Sequence, residues 1–413
     1  MDLKRFGDGA TGRLVPISVD EAGRQVDHAA FVPDPLPSTL ELSARTWSDV
    51  ANAAHLLGRL DALAKELLPN PMLVARPTIR REAVSTSALE GTFAPAAEVL
   101  SSEIDEGLPR SHAVTEVINF IRATEYAIER RATLPISTRF ACELQRILVG
   151  GTPSEDWQAG QVRQTQVIIG PYKGCSVLEA SYIPPPPGDT LNDGLSAWEK
   201  WIHAEGDLHA LIRIAAAHYQ FEALHPFTDG NGRIGRLIAI LQLIDYGLLT
   251  EPLINLSPYF EVRSDQYRYL LREVSTRGAW DEWIGFFCQA IGEQAADAEA
   301  RIRALLTWRD STLTMLRGKR IKGVAIAVTE KLIEHPTVTV KNIADSHDVS
   351  VQAANSAVTR LVDVGVLSEI TGRNYNRVFS APAVFDIIFR GHATRRGQPG
   401  REGDAPDTAT GPE

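Results

Sequence analysis

His225-Pro226-Phe227-Thr228-Asp229-Gly230-Asn231-Gly232-Arg233-Ile234-Gly235-Arg236 is the densest run of chemistry in the chain, and it decides how the rest is read. Residues 210–223 upstream and 237–244 downstream repeat apolar positions at helical spacing, so two helices flank a short loop. Gly230-Asn231-Gly232 lets the backbone take positive φ and leaves no side chains in the way of a ligand. With Asn231 as N-cap of the second helix, unpaired N–H groups and the positive end of the helix dipole form an anion site. Arg233 and Arg236 project from one face of the same first turns, so backbone and guanidinium forks together suit phosphate. Asp229 beside that site would be repelled by phosphate unless a hard divalent cation such as Mg²⁺ lay between them. His225 at the mouth of the loop can take a proton near neutral pH. Singly, these residues read as a core histidine, an Asn-Gly turn and solvated arginines. Together in one loop and helical turn they point to a nucleotide site.

The stretch resembles the Fic-domain signature HxFx(D/E)GNGRxxR, with every defining position filled. The resemblance implies that His225 deprotonates a hydroxyl on a target protein, that Phe227 anchors the loop, and that Asp229 holds Mg²⁺ across the α- and β-phosphates. It also implies that Gly230, Asn231 and Gly232 line the anion hole while Arg233 and Arg236 bind the outer phosphates of ATP. The reaction would leave AMP on a Ser, Thr or Tyr oxygen and expel pyrophosphate. Relatives that transfer phosphate alone depart from Gly-Asn-Gly, which is intact here. Some members remove AMP at the same site, and a nucleotide-sensing DNA-binding regulator is the alternative from another class.

Upstream, Thr86 and Glu90-Gly91 resemble the Fic inhibitory motif (S/T)xxxE(G/N), preceded by Arg80-Arg81-Glu82-Ala83. Alone, Glu90 would read as a solvated helix-end carboxylate, with Gly91 as the C′ residue. In the family that glutamate pairs with the second signature arginine, here Arg236, and keeps it off the γ-phosphate. The motif lies N-terminal to the signature, which implies intramolecular inhibition.

The 413 residues allow two or three domains, and 44% hydrophobic with 23% charged content is ordinary for a globular protein. A net charge of -10 argues against nucleic acid or an anionic membrane contacting the whole surface. Cys142, Cys175 and Cys288 have no metal spacing, and with no signal peptide or membrane-length run they suit the cytoplasm. Residues 1 to about 38 mix Gly, Pro and charge and read as an irregular arm. The stripe Trp47, Val50, Ala54, Leu57, Leu60 and Leu63 gives a helix to about Leu68. A second helix from Met72 to Leu89 must be kinked or begun by Pro77. Three more helices follow between 95 and 149.

Residues 166–170 and 177–183 are β-prone runs separated by Gly and Pro. At this distance before the signature they resemble the Fic flap, a β-hairpin whose edge would pair with an extended segment of the target protein. Val167, Ile168, Ile169 and Gly170 would line the nucleotide pocket. The resemblance puts an adenine-facing tyrosine further on, assigned to Tyr267 with Gln266. Where many relatives carry Asn, Val274-Ser275 stands here. Beyond the basic connector 317–320, helices at 324–334, 340–344 and 350–366 precede a hairpin at 367–379, which resembles a winged helix-turn-helix. Gln352, Asn355, Ser356 and Arg360 would face outward on its recognition helix, with Arg373 and Arg377 on the wing. DNA binding is one reading of that unit, and dimerisation, as a homodimer, or target docking is the other.

The fold expected is mainly α: a Fic-type helical bundle with a β-hairpin flap plus a small C-terminal winged-helix domain. The domain boundaries expected are 1–110 for the arm and inhibitory helix, 111–316 for the catalytic domain, 317–385 for the winged helix and 386–413 for a disordered tail.

Overall fold

The structure is a computed structural model that describes residues 1–67, 70–104, 110–172, 174–373 and 375–389. At the N-terminus β1 (Gly12–Glu21) and β2 (Arg24–Pro33) form an antiparallel hairpin, not an irregular arm. Val15, Ile17 and Val19 alternate inward while Pro16, Ser18 and Asp20 face out, and Ala22-Gly23, both at positive φ, close the turn. The Gly and Pro content hides this two-residue period. Phe31 anchors the hairpin: it is fully buried, lies 5.1 Å from the Phe6 ring, and its N–H donates to Ile183 O at 2.9 Å.

A helical bundle follows: α1 (Ala44–Leu67), α2 (Met72–Leu89), α3 (Ala96–Ile104), α4 (His112–Arg130), α5 (Thr138–Val149), α6 (Asp189–His203), α7 (Ala210–Leu224), α8 (Asn231–Asp245), α9 (Ser257–Val262), α10 (Ser264–Arg277) and α11 (Trp280–Gly318). The apolar stripe of α1 packs along the 39-residue α11, although Trp47 is exposed and Ala53 takes a core position. Nearly all of α7 is buried, and its carbonyls at Ala217 and Ala215 accept from the indoles of Trp198 at 3.0 Å and Trp283 at 2.8 Å. Two large rings from flanking helices thus fix the element that delivers His225.

Helix α2 runs through Pro77 and is buried on almost every side despite its polar sequence. Its charges are therefore paired. Arg81 meets Asp297 at 2.7 Å, Glu82 accepts from the hydroxyl and N–H of Ser257, and Asn255 donates to Thr78 O at 2.7 Å.

The C-terminal unit comprises α12 (Val324–Lys331), β3 (Thr337–Thr339), α13 (Val340–His347), α14 (Val351–Asp363), β4 (Ser368–Glu369), β5 (Val378–Ser380) and α15 (Pro382–Phe389), with an antiparallel sheet in the order β3-β5-β4. Ser350 caps α14 by accepting from Ala353 N, and Gln352, Asn355, Ser356, Arg360, Arg373 and Arg377 are all exposed. Residues 386–389, expected in the tail, are helical because Val384, Ile388 and Phe389 bury against the bundle. The remaining tail, 390–413, and Asn374 lie outside the described residues.

This unit docks on α2. Arg76 pairs with Glu334 at 2.9 Å, and Arg80 donates to Glu334 O at 2.6 Å and to Glu103 at 2.9 Å. Arg80→Ala is expected to destabilise the protein by about 3 kcal/mol, because it strands a largely buried carboxylate and a carbonyl at once. Urea denaturation of the variant against the parent measures the loss.

Candidate active site

The loop between α7 and α8 places the signature. His225 ends α7 in the left-handed region at φ 50°, an uncommon conformation for a residue with a side chain, which turns the chain sharply out of the helix. Phe227 is fully buried beside Phe221 and anchors the loop as expected. Asn231 is not the N-cap. Its side-chain amide accepts from Phe227 N and donates to Phe227 O, both at 2.8 Å, so it closes the loop, and Gly230 at φ 86° caps α8 instead. The first intrahelical bond of α8 runs from Ile234 N to Gly230 O at 3.0 Å, and the N–H groups ahead of it have no acceptor within the helix.

Arg163 holds the loop from the flap side. Its backbone N–H donates to Pro226 O at 2.8 Å, and its guanidinium donates to His225 O at 2.8 Å, Thr165 O at 3.1 Å and Pro185 O at 2.6 Å. The flap itself is not a regular hairpin. One bridge, Ile169 to Tyr182, joins the two runs, and residues 177–179 form a 3₁₀ turn. Pro171 and the prolines at 184–187 lack the donors that a longer ladder needs.

Between the flap and α2, α7, α8 and α10 lies an open cavity of about 480 Å³. His225, Gly232, Arg236, Glu90, Ile169, Gly170 and Tyr267 line it. Val167 and Ile168 do not, and Ile168 packs instead on the N-terminal hairpin. Gln266 is exposed on the other side of α10. Ser275 reaches the cavity, whereas Val274 is core.

Glu90 and Thr86 both hold Arg236. Its Nη2 donates to Glu90 Oε1 at 2.6 Å and its Nε to Thr86 Oγ1 at 2.8 Å. Burial alone would lower the guanidinium pKa, but the Glu90 charge raises it instead. Desolvation would push the Glu90 carboxyl up, and Arg236 outweighs it to hold the group below its usual range. Gly232 is essential to this approach: a Cβ there would overlap the Glu90 carboxylate and lie 2.8 Å from Arg236 Nη1.

Several residues that the linear motifs do not reveal complete the site. Ser154 donates to Asp229 Oδ2 at 2.7 Å, while Asp229 Oδ1 accepts from Arg233 at 2.9 Å. Glu116 on α4 pairs with Arg233 at 2.7 Å. Glu222 on α7 lies one helical turn before His225, and desolvation lifts its carboxyl to about 7, with Arg236 opposing and Glu90 adding. Desolvation, then the charge of Arg163, drives the half-buried His225 imidazole down to about 4. Among the described residues no cluster of three or more His, Cys, Asp or Glu could hold a metal ion by itself. Nor is any described helix long and apolar enough to cross a membrane.

Residues 135–243 match the Fic/DOC family, and residues 47–129 match the Fic/DOC family N-terminal module. The first of these matches contains the whole His225–Arg236 run. A protein adenylyltransferase Fic of Culex quinquefasciatus is 30% identical over 181 residues, 43% of this chain and 31% of that protein. One from Drosophila grimshawi is 35% identical over 107 residues, 25% of this chain and 20% of that protein. The matched region therefore spans less than a third of either relative. The crystal structure of a Fic family protein from Desulfovibrio desulfuricans G20 superposes with a TM-score of 0.52 at 18% identity, covering 83% of this chain and 97% of that one. The mainly helical Fic fold is shared.

With its pKa lowered from 6.5 to about 4, His225 is expected to be neutral and able to accept a proton from about pH 5 upward. An NMR titration of the histidine rings, assigned with His225→Ala, checks this: a midpoint near 6.5 for that ring would contradict it.

Proposed function

We propose that the chain is a protein adenylyltransferase that moves AMP from ATP to a Ser, Thr or Tyr hydroxyl of a target protein or of itself, and that Glu90 restrains it. The observation that carries this reading is the convergence of His225, the Gly230–Gly232 anion hole and Arg236 on one cavity in which Glu90 occupies Arg236.

ATP would lay its phosphates over the N-terminus of α8, where free N–H groups and the helix dipole favour negative charge. Arg233 and Arg236 would bind the outer phosphates once their carboxylate partners give way. Asp229 suits Mg²⁺ there, since it is a single carboxylate beside an anion hole, and Mg²⁺ commonly takes one or two carboxylates together with substrate phosphates. When bound, the ion would offset charge on the α- and β-phosphates. His225 would accept the proton of the target hydroxyl as its oxygen attacks the α-phosphorus. The bond from that phosphorus to the bridging oxygen then breaks and pyrophosphate leaves. Positioning and charge neutralisation account for most of the rate in such transfers. An extended segment of the target, laid along the 166–170 run of the flap, would bring its hydroxyl to His225.

With Glu90 in place, its carboxylate sits where the γ-phosphate would meet Arg236, so ATP binds poorly or in a pose unsuited to attack. Transfer of label from α-³²P-ATP tests the reading. Glu90→Gly should raise self-labelling on the order of ten-fold or more over the parent, the scale of a charge-assisted hydrogen bond. Adding His225→Ala or chelating Mg²⁺ should abolish the signal. A Glu90→Gly protein that binds ATP yet transfers no label would overturn the proposal.

A further inference from the structure

Arg236 is not the only phosphate-binding arginine already engaged by a carboxylate. Arg233 lies between two, Asp229 at 2.9 Å and Glu116 at 2.7 Å, with only 4% of its side chain exposed. Its Nε is a buried donor with no partner among the described residues, so the guanidinium keeps one donor in reserve. Glu116 is itself shared. The Thr92 hydroxyl donates at 3.0 Å to Glu116 Oε2, the same oxygen that receives Arg233 Nη1.

Thr92 stands two residues beyond Glu90 in one tight turn. Glu90 N and Thr92 N both donate to Ser87 O, at 3.1 and 2.9 Å, and Gly91 N donates to Ala88 O at 3.0 Å. Arg268 closes the turn from α10 through Leu89 O at 3.1 Å. A residue ending a helix commonly folds its hydroxyl back on its own carbonyls, whereas Thr92 spends its donor on a carboxylate of another helix. One hydrogen-bonded turn therefore reaches both arginines: Arg236 directly through Glu90, and Arg233 through Thr92 and Glu116.

We propose that Glu116 is a positioning residue for Arg233 and that Thr92 latches it to the turn carrying Glu90, so that nucleotide must displace one coupled restraint acting on both arginines. This rests on the reading of Arg233 and Arg236 as phosphate ligands. The energetic logic is competition. A triphosphate has to take Arg236 from Glu90, and any motion of the turn that frees Glu90 also draws Thr92 off Glu116. The latch adds one hydrogen bond to what ATP must overcome.

Calorimetric titration of the full chain with Mg·ATP tests this. Thr92→Val keeps the volume and removes the donor, and it should tighten binding roughly five-fold while Glu90 is present, the worth of about one net hydrogen bond. Thr92→Ser keeps the donor and should bind as the parent does. In Glu90→Gly protein, and in Glu116→Leu protein, Thr92→Val should change the affinity by less than about two-fold, since the coupling is already broken. Unchanged binding by Thr92→Val, or an equal gain in the Glu90→Gly background, would overturn the latch. Absence of label transfer by Glu90→Gly alongside the expected binding pattern would instead defeat the adenylyltransferase reading and leave the latch standing.

Discussion

A polar helix buried on nearly all sides is expensive, and α2 is such a helix. Its side chains are stable only where other elements bring partners to them, and those partners come from across the chain: Glu103 from α3, Asn255 and Ser257 around α9, Asp297 from α11, Glu334 beyond α12 and Arg236 from α8. The bundle, the signature helix and the C-terminal unit are thereby registered against one another through α2. Thr86 and Arg236 belong to that set, since neither has appreciable exposure and each satisfies the other. The Glu90–Arg236 contact is thus an extension of the packing that makes α2 possible, and only its last member, Glu90, faces the cavity.

That arrangement pairs a buried arginine with a partly exposed carboxylate. Arg236 is fixed at Nε by the Thr86 hydroxyl and at Nη2 by the Thr86 carbonyl at 3.3 Å, whichever acid it faces. Glu90 keeps 37% of its side-chain exposure at the cavity wall and follows a helix end rather than a helix interior. The position of the arginine therefore does not depend on Glu90 alone.

The His225–Arg236 run was legible because its chemistry is contiguous, spacing placing it on one loop and helical turn, whereas the contact of Glu90 with Arg236 was expected only through the resemblance of residues 86–91 to a motif. Ser154, Arg163 and Glu116 were not, because each meets its partner from a different element, 75, 62 and 117 residues away in sequence. No local period announces such a pairing. The N-terminal hairpin escaped for the opposite reason, since Pro16 and the flanking glycines outweighed a short alternation. In the flap, β-branched residues suggested a ladder that the neighbouring prolines cannot donate to, leaving a single bridge. Asn231 shows how two uses of one residue compete: an Asn before a helix can cap it, but here both ends of its amide are consumed by Phe227.

Charge at the cavity also has to balance. Arg236 faces Glu90 and Glu222, and one guanidinium cannot offset two ionised carboxylates that raise each other's proton affinity. The structure resolves this by unequal pairing. Glu90 takes the direct contact and is held ionised, while Glu222, with no direct contact to the arginine and more fully desolvated, is lifted to about 7 and retains its proton over much of the neutral range. Removing Glu90 from the arginine deletes the charge that helped to lift Glu222 and leaves Arg236 as its attractive neighbour, so Glu222 becomes the more readily ionised. Without the Glu90 charge, Arg236 thereby keeps Glu222 as a partial counter-charge.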